Sequence, residues 1–243
     1  MKIIFLNTWI QQIKEPQEKF IKDNLSDTDV FCFSEVGKNQ FNNFTNILTD
    51  FNSLYCLDES LDNSISSQAI FVKKSFDVKI HKKELLYGAI EVAETKEVPG
   101  FVQGITLNGK EPFSIFNVQG MAYPGDKLDT PFRIDQSEKI INFTKGFIKP
   151  HLILGDFNLM PDTRSIGMLE KVGYRNLIKE FNIKTTRNKI AWEHFKNSKK
   201  DIYFGKQLFA DYVFVSSEVN VKTFEVPGIE ISDHLPLILN FDL

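Results

Sequence analysis

The sequence predicts an α/β domain with a large share of antiparallel sheet, and three observations carry that prediction. Short apolar runs of strand character alternate with helical segments along the 243 residues, and no linker interrupts them. Hydrophobic residues make up 42% of the chain and aromatic residues 13%, enough to fill a substantial core. The middle of the chain is a succession of short strands and turns. No internal repeat or low-complexity tract divides it, so residues 1–243 are read as one domain.

Taken in order, Lys2 to Trp9 reads as a strand. Glu15 to Leu25 reads as a helix, with Pro16 in the first turn, where its missing N–H has no partner to lose. Asp29 to Val36 is a buried strand, and Ser67 to Lys74 is another around Ala69-Ile70-Phe71-Val72. Phe76 to Val98 alternates in the short runs of antiparallel strands. Asn108-Gly109 marks a hairpin between Gly104–Leu107 and Pro112–Phe116. Asp129-Thr130-Pro131 starts a long helix, along which Ile134, Ile141 and Ile148 recur every seven residues. A buried strand follows at His151–Leu154, then a short helix at Ser165–Val172 and an irregular polar stretch from Asn182 to Gln207. Strands close the chain at Tyr212–Val215, Lys222–Val226 and Leu235–Phe241.

The formal net charge of -3 and pI near 5.9 argue against a surface built throughout for nucleic acid, while leaving room for a local basic patch. Two cysteines, Cys32 and Cys56, are too few for a disulfide framework or a thiolate metal site and read as buried thiols. Only four apolar residues follow Met1-Lys2 before Asn7, too short for a secretory signal, and no apolar run spans a membrane. A cytoplasmic monomer without stable membrane association is the expectation.

Chemistry enters with Gly155-Asp156-Phe157-Asn158, directly after the apolar run His151–Leu154. A carboxylate and an amide two residues apart at a strand end share one face if the backbone stays extended. Together they can hold a phosphate and its attacking water, the carboxylate taking a proton and the amide donating to the oxyanion. Other strand ends carry polar residues too: Asn7, Glu35, Gln119, Asp211 and the run Ser232-Asp233-His234. Any one of these reads as a turn or cap. Jointly they supply the parts of metal-assisted phosphodiester hydrolysis, with Glu35 as a hard oxygen ligand, His234 for a phosphate oxygen or a proton, and Asp211 to orient the imidazole. Asp233 and His234 would point to opposite sides of an extended strand, so a turn is expected there.

That series, in this order and spanning the whole chain, resembles the endonuclease/exonuclease/phosphatase superfamily. The tetrad together with the terminal Ser-Asp-His carries the resemblance. It implies a deoxyribonuclease I-like, four-layer αββα sandwich of two mostly antiparallel sheets and one Mg²⁺-dependent site, with Mn²⁺ as an alternative ion. Carried over, Glu35 is the principal metal ligand, with Asn7 beside it and Asp233 at or near the ion. Asp156 activates water, Asn158 binds the phosphate, and His234 with Asp211 forms a dyad. Arg133, Gln136 and Thr186-Arg187 match positions in a bacterial branch of the superfamily. Arg187 has two readings, a phosphate contact or an ordinary surface arginine.

One position departs from the pattern. Deoxyribonuclease-like and sphingomyelinase-like members carry a histidine after the Asn-Val pair, whereas Gln119 follows Asn117-Val118 here. Glutamine donates hydrogen bonds but neither titrates near neutrality nor carries charge. Three explanations stand: a slower enzyme, a leaving group that needs no acid, or an introduced substitution. Abasic-site members place a tyrosine there, a role open to Tyr123 as a substrate contact. A phosphodiester substrate, DNA or RNA, leads the candidates. Lys184 to Lys206 sets six lysines and Arg187 against Glu193 and Asp201, interleaved with Trp192, Phe195, Tyr203 and Phe204. Such a segment either tracks a nucleic-acid backbone or is a solvated loop. The alternatives are phosphomonoester, inositol-phosphate or sphingomyelinase-like phospholipid hydrolysis, and a phosphate-ligand binder of little or no activity. The lipid option lacks an aromatic-rich apolar hairpin tip.

Overall fold

The computed structural model describes residues 1–56, 67–88, 90–92, 95–97, 99–109, 111–197 and 205–243. Two six-stranded sheets dominate it. In chain order the strands are β1 (Lys2–Asn7), β2 (Val30–Val36), β3 (Phe51–Tyr55), β4 (Ser67–Lys73), β5 (Asp77–Tyr87), β6 (Ile90–Val92) and β7 (Thr95–Glu97). They continue with β8 (Gly100–Asn108), β9 (Phe113–Gln119), β10 (His151–Asp156), β11 (Arg175–Asn176), β12 (Asp211–Val215), β13 (Asn220–Glu225) and β14 (Leu237–Asp242). The first sheet runs β13-β14-β1-β2-β4-β3 and the second β11-β12-β10-β9-β8-β5, with β6 and β7 a separate hairpin.

Alternation along the strands makes the layers. Ile3, Phe5, Val30 and Cys32 point between the sheets, into a core shared with Ile105, Ile115, Leu152 and Val213. Ile4, Leu6, Phe31 and Phe33 point the other way, against Ile21 of α1 (Lys14–Asp23) and Phe44 of α2 (Lys38–Ile47). The outer face of the second sheet is covered by α3 (Pro131–Thr144), α4 (Arg164–Lys171) and α5 (Leu177–Glu180), which bring Ile140, Ile166 and Leu177 to the core. The result is the expected four-layer sandwich.

Strand direction gathers the polar ends. Each sheet has one parallel pair, β1 with β2 and β9 with β10, and its other pairs are antiparallel. Asn7 lies opposite Ser34, so Glu35 comes next on β2, and Asp156 lies opposite Gln119. The antiparallel strand β12 opens with Asp211 opposite Asp156, and β14 starts just after Ser232–His234. Asn7, Glu35, Gln119, Asp156, Asp211 and the run Ser232–His234 thus share one edge of the sandwich because of topology alone.

Several expectations need correction. The first strand ends at Asn7, not Trp9; Trp9, Ile10 and Gln11 turn away with φ of 48°, 49° and 54°. Helix α3 stops at Thr144, and Ile148 lies beyond it, 48% exposed. Its buried face is mostly polar, Arg133, Gln136, Ser137, Ile140 and Thr144, so the seven-residue isoleucine spacing does not mark the core. Inside the stretch read as irregular lies α6 (Lys189–Asn197). Helix α2 and strand β3 were not expected, because asparagine-rich Asn39–Asn46 carries a weak apolar pattern and β3 is a half-exposed edge strand. Cys32 and Cys56 are buried, as read, and burial pushes the Cys32 thiol up. Lys199, Lys200, Asp201, Tyr203 and Phe204 lie outside the described residues.

Candidate active site

The tetrad is shaped by close backbone approach. A side chain at Gly155 would bring its Cβ to 2.3 Å from the Val118 carbonyl oxygen, so glycine lets β10 lie against β9 at that point. Phe157 is fully buried, edge-on to Tyr212 and Phe214, and its N–H donates to the Ala210 carbonyl at 2.8 Å. With Phe157 as anchor, the polar side chains on either side meet other polar groups, Asp156 Oδ2 accepting from Asn7 and Asn158 Oδ1 from Lys127. Asn158 adopts φ 53°, and its N–H donates to Asp156 Oδ1 at 2.9 Å. Glu35 also has a left-handed backbone, φ 53°, at a break in the β2–β4 register between Phe33 and Val36. Left-handed conformations at non-glycine residues are uncommon and collect at functional sites.

Asn7 joins the two carboxylates: its Nδ2 donates to Glu35 Oε1 and to Asp156 Oδ2, both at 2.9 Å. Its Oδ1 accepts from the Trp9 N–H at 2.9 Å, which leaves one lone pair of that oxygen for a ligand bond. Opposite, His234 Nδ1 donates to Asp211 at 3.0 and 2.8 Å, while Nε2 lies 4.0 Å from Asp156 and 3.8 Å from Asp233. Asp211 is further held by Thr186, whose hydroxyl accepts from the Asp211 N–H at 3.2 Å. Ser232 and Asp233 bend the chain before β14, so Asp233 and His234 face one cleft, as the expected turn requires.

Arg187 is not a surface residue. It is 5% exposed, its Nη2 donates to Asp233 Oδ2 at 3.2 Å, and it forms a β-bridge with His234. The turn Thr185–Asn188 is folded onto the Ser232–His234 bend: the Leu235 N–H donates to the Thr186 carbonyl, and Asn188 Nδ2 donates to the Ser232 carbonyl at 2.7 Å. Gln119 is buried beside Asp156, and Tyr123 stands half-buried in the following loop.

Burial and charge set the protonation states. Burial and then the neighbouring Asp233 push Glu35 up to about 7, with Asp156 adding to the push. Burial alone would lower His234, but Asp211, Asp233 and Asp156 overcome it and raise it to about 9. Burial is the main cause that raises Asp211, against the charge and hydrogen bond of His234, which pull it down. Burial opposes the charge of Asp233, yet His234 and Arg187 hold it below the usual carboxylate range.

Such a crowd of acids suits a cation. Glu35, repelled by two carboxylates, is the group whose charge a divalent ion would relieve most, and its oxygen is hard. Asp156, Asp211 and His234 also place one ligand atom each within 4.8 Å of one another, a spacing that can hold a metal ion. Of these, Asp211 is committed to the imidazole through both oxygens.

Lys127 is a site residue that sequence reading missed. It is 6% exposed, and its Nζ donates to Asn158 Oδ1. The punctuated run Pro124-Gly125-Asp126 between two site motifs was the available signal.

Residues 6–234 match the model of the Endonuclease/Exonuclease/phosphatase family. No curated protein matches the chain in sequence. Among solved structures, a mannosyl-6-phosphatase of Bacteroides thetaiotaomicron superposes with TM-score 0.73 at 17% identity, over 100% of both chains. The human Nocturnin catalytic domain with bound sulfate gives 0.73 at 18%, covering 100% of this chain and 93% of that one. A truncated TDP2 from Caenorhabditis elegans gives 0.65 at 17%, covering 99% and 96%.

Proposed function

The chain belongs to the endonuclease/exonuclease/phosphatase family and is a phosphoric ester hydrolase, and on that premise we propose that it is a metal-dependent phosphodiesterase acting as a nuclease. The observation that carries the proposal is the convergence of Asp156, Asn158, Glu35 and the Asp211–His234 dyad at one sheet edge. In this reading Asp156 accepts the proton of a water whose oxygen attacks phosphorus, and the P–O bond to the leaving group breaks with its electron pair on the leaving oxygen. Asn158 and the imidazolium of His234 bind the phosphoryl oxygens, and Asp211 keeps the imidazole charged and oriented. Glu35 with Asp233 would hold Mg²⁺ or Mn²⁺, whose chemistry is to neutralise charge developing on the phosphate. Asn7, as it stands, orients the two carboxylates. Gln119 and Tyr123 are proposed to border the leaving group.

Nucleic acid as substrate is supported by the surroundings of the cleft. Trp9, two residues from Asn7, packs edge-on against His194 of α6 at 5.3 Å between centroids. Lys206 lies over the Trp192 ring at 5.6 Å. The basic and aromatic segment therefore adjoins the site, where rings can stack on bases. Among the described residues no helix is long and apolar enough to cross a membrane. A cytoplasmic, single-domain monomer is part of the same proposal.

A panel of plasmid DNA, RNA, abasic duplex, inositol phosphates, sphingomyelin and an aryl phosphodiester, each with and without EDTA, tests the reading. Metal-dependent turnover of a nucleic acid is the expected result; exclusive turnover of a monoester or a lipid would overturn the substrate. Gln119→His is expected to raise turnover by on the order of tenfold to a hundredfold on alkyl-type leaving groups and little on nitrophenolate. Equal effects on both leaving groups would contradict the placement of Gln119.

A further inference from the structure

We propose that Lys127 is a phosphate-binding residue of this site, contacting a non-bridging phosphoryl oxygen together with Asn158 and supplying the positive charge that Gln119 does not. The proposal deepens the hydrolase reading and rests on it.

Four observations carry it. First, the ammonium is buried without a counter-ion: its hydrogen bond goes to a neutral amide oxygen, and among the described residues no carboxylate lies within 4.0 Å of it. Asp156 and Asp211 act on it only from farther away, and burial followed by Arg187 pushes it down to about 8. A buried cation left in that state is costly unless an anion arrives to pair with it. The other two cations at the cleft, Arg187 and His234, already hold Asp233 and Asp211.

Second, the lysine is held there by construction. Its backbone is left-handed, φ 57°, like Glu35 and Asn158, and its carbonyl accepts from the Met160 N–H at 2.9 Å. Third, fully buried Arg133 frames the loop that carries it, donating to the carbonyls of Met121, Ala122, Pro124 and Leu128 and pairing with Asp126. Gln136 adds a bond from the Met121 N–H at 2.9 Å. A mobile surface lysine needs no such frame; a ligand-gripping one does. Fourth, Lys127 and the departure at Gln119 meet at the same place. Asn158 Nδ2 donates to the carbonyl of Gly120 at 3.0 Å, and Gln119 Oε1 is buried with no hydrogen-bond partner among the described residues.

Inorganic phosphate is the probe, titrated calorimetrically into the full chain in EDTA so that neither metal nor turnover enters the readout. Wild-type protein is expected to bind phosphate. Lys127→Met and Lys127→Gln are both expected to weaken it at least tenfold, Lys127→Arg far less, and the exposed Lys145→Met at the opposite end of β10 not at all. Lys127→Gln separates charge from positioning, because a glutamine can still donate to Asn158 Oδ1. Wild-type affinity in that variant would show that Lys127 only orients Asn158 and would overturn the proposal. So would unchanged affinity in Lys127→Met, whose folding is checked by its melting curve; should that variant not fold, Lys127→Gln and Lys127→Arg decide. A protein that binds phosphate through Lys127 but hydrolyses no ester would refute the hydrolase reading alone.

Discussion

Asp156→Asn is expected to lower kcat/KM on a phosphodiester by on the order of 10³ to 10⁴-fold while leaving the fold intact. The carboxylate sits where three functions meet. Its Oδ1 accepts the Asn158 N–H and fixes the left-handed turn, its Oδ2 accepts from Asn7, and the same oxygen lies 4.0 Å from the His234 imidazole. An amide can keep the turn with its oxygen but offers no base, and its nitrogen faces the Asn7 donor. A modest stability loss of about 1 kcal/mol is expected from that unmatched pair. Steady-state rates and a thermal melt separate the two effects. Activity above a tenth of wild type in a folded variant would remove Asp156 from its role.

Glu35→Gln is expected to do the opposite to stability. The folded protein holds a proton on Glu35 up to about pH 7, whereas the unfolded chain releases it near the ordinary value of 4.5. A group raised in this way contributes stability below 4.5 that is lost as pH climbs to about 7, and the loss levels off beyond. Glutamine carries no such penalty, so at pH 8 in EDTA the variant should be more stable by on the order of 1 to 3 kcal/mol. At pH 4 the two proteins should converge. Adding Mg²⁺ or Mn²⁺ should raise the melting temperature of wild type but not of the variant, because ligand binding to the native state stabilises it. Activity should fall with the lost ion. A variant less stable than wild type at pH 8, or one stabilised equally by metal, would show that Glu35 is not the strained acid the structure makes it.

Most of the fold was legible because long buried strands announce themselves. The runs around Phe31, Phe71, Leu152 and Phe214 are apolar on both faces and bounded by turns. What escaped was carried by polar side chains. Helix α3 buries Arg133 and Gln136 rather than an isoleucine stripe, since its inner face serves the loop ahead of it. Helix α6 lies in a stretch whose lysines and aromatics read as a loop. The site residues at strand ends were legible as polar groups that end or precede apolar runs: Asn7, Glu35, Gln119 and Asp156 close the two parallel pairs, while Asp211 and Ser232–His234 stand at the starts of the antiparallel strands β12 and β14, on the same edge. Arg187 could be named from the sequence but not placed, and Lys127 was not named at all, because each comes from a connection that no periodicity describes and reaches the site through tertiary folding. The left-handed turn after Asn7, which brings Trp9 toward α6, leaves no trace in the sequence either.

The most direct measurement is the initial rate of hydrolysis of bis(p-nitrophenyl) phosphate by wild type and Asp156→Asn, each with Mg²⁺ or Mn²⁺ and with EDTA. Metal-dependent release of nitrophenolate by wild type, abolished by EDTA and by the substitution, is the expected result. Turnover that survives EDTA, turnover retained in Asp156→Asn, or no turnover by metal-loaded wild type would contradict metal-assisted attack by an Asp156-activated water.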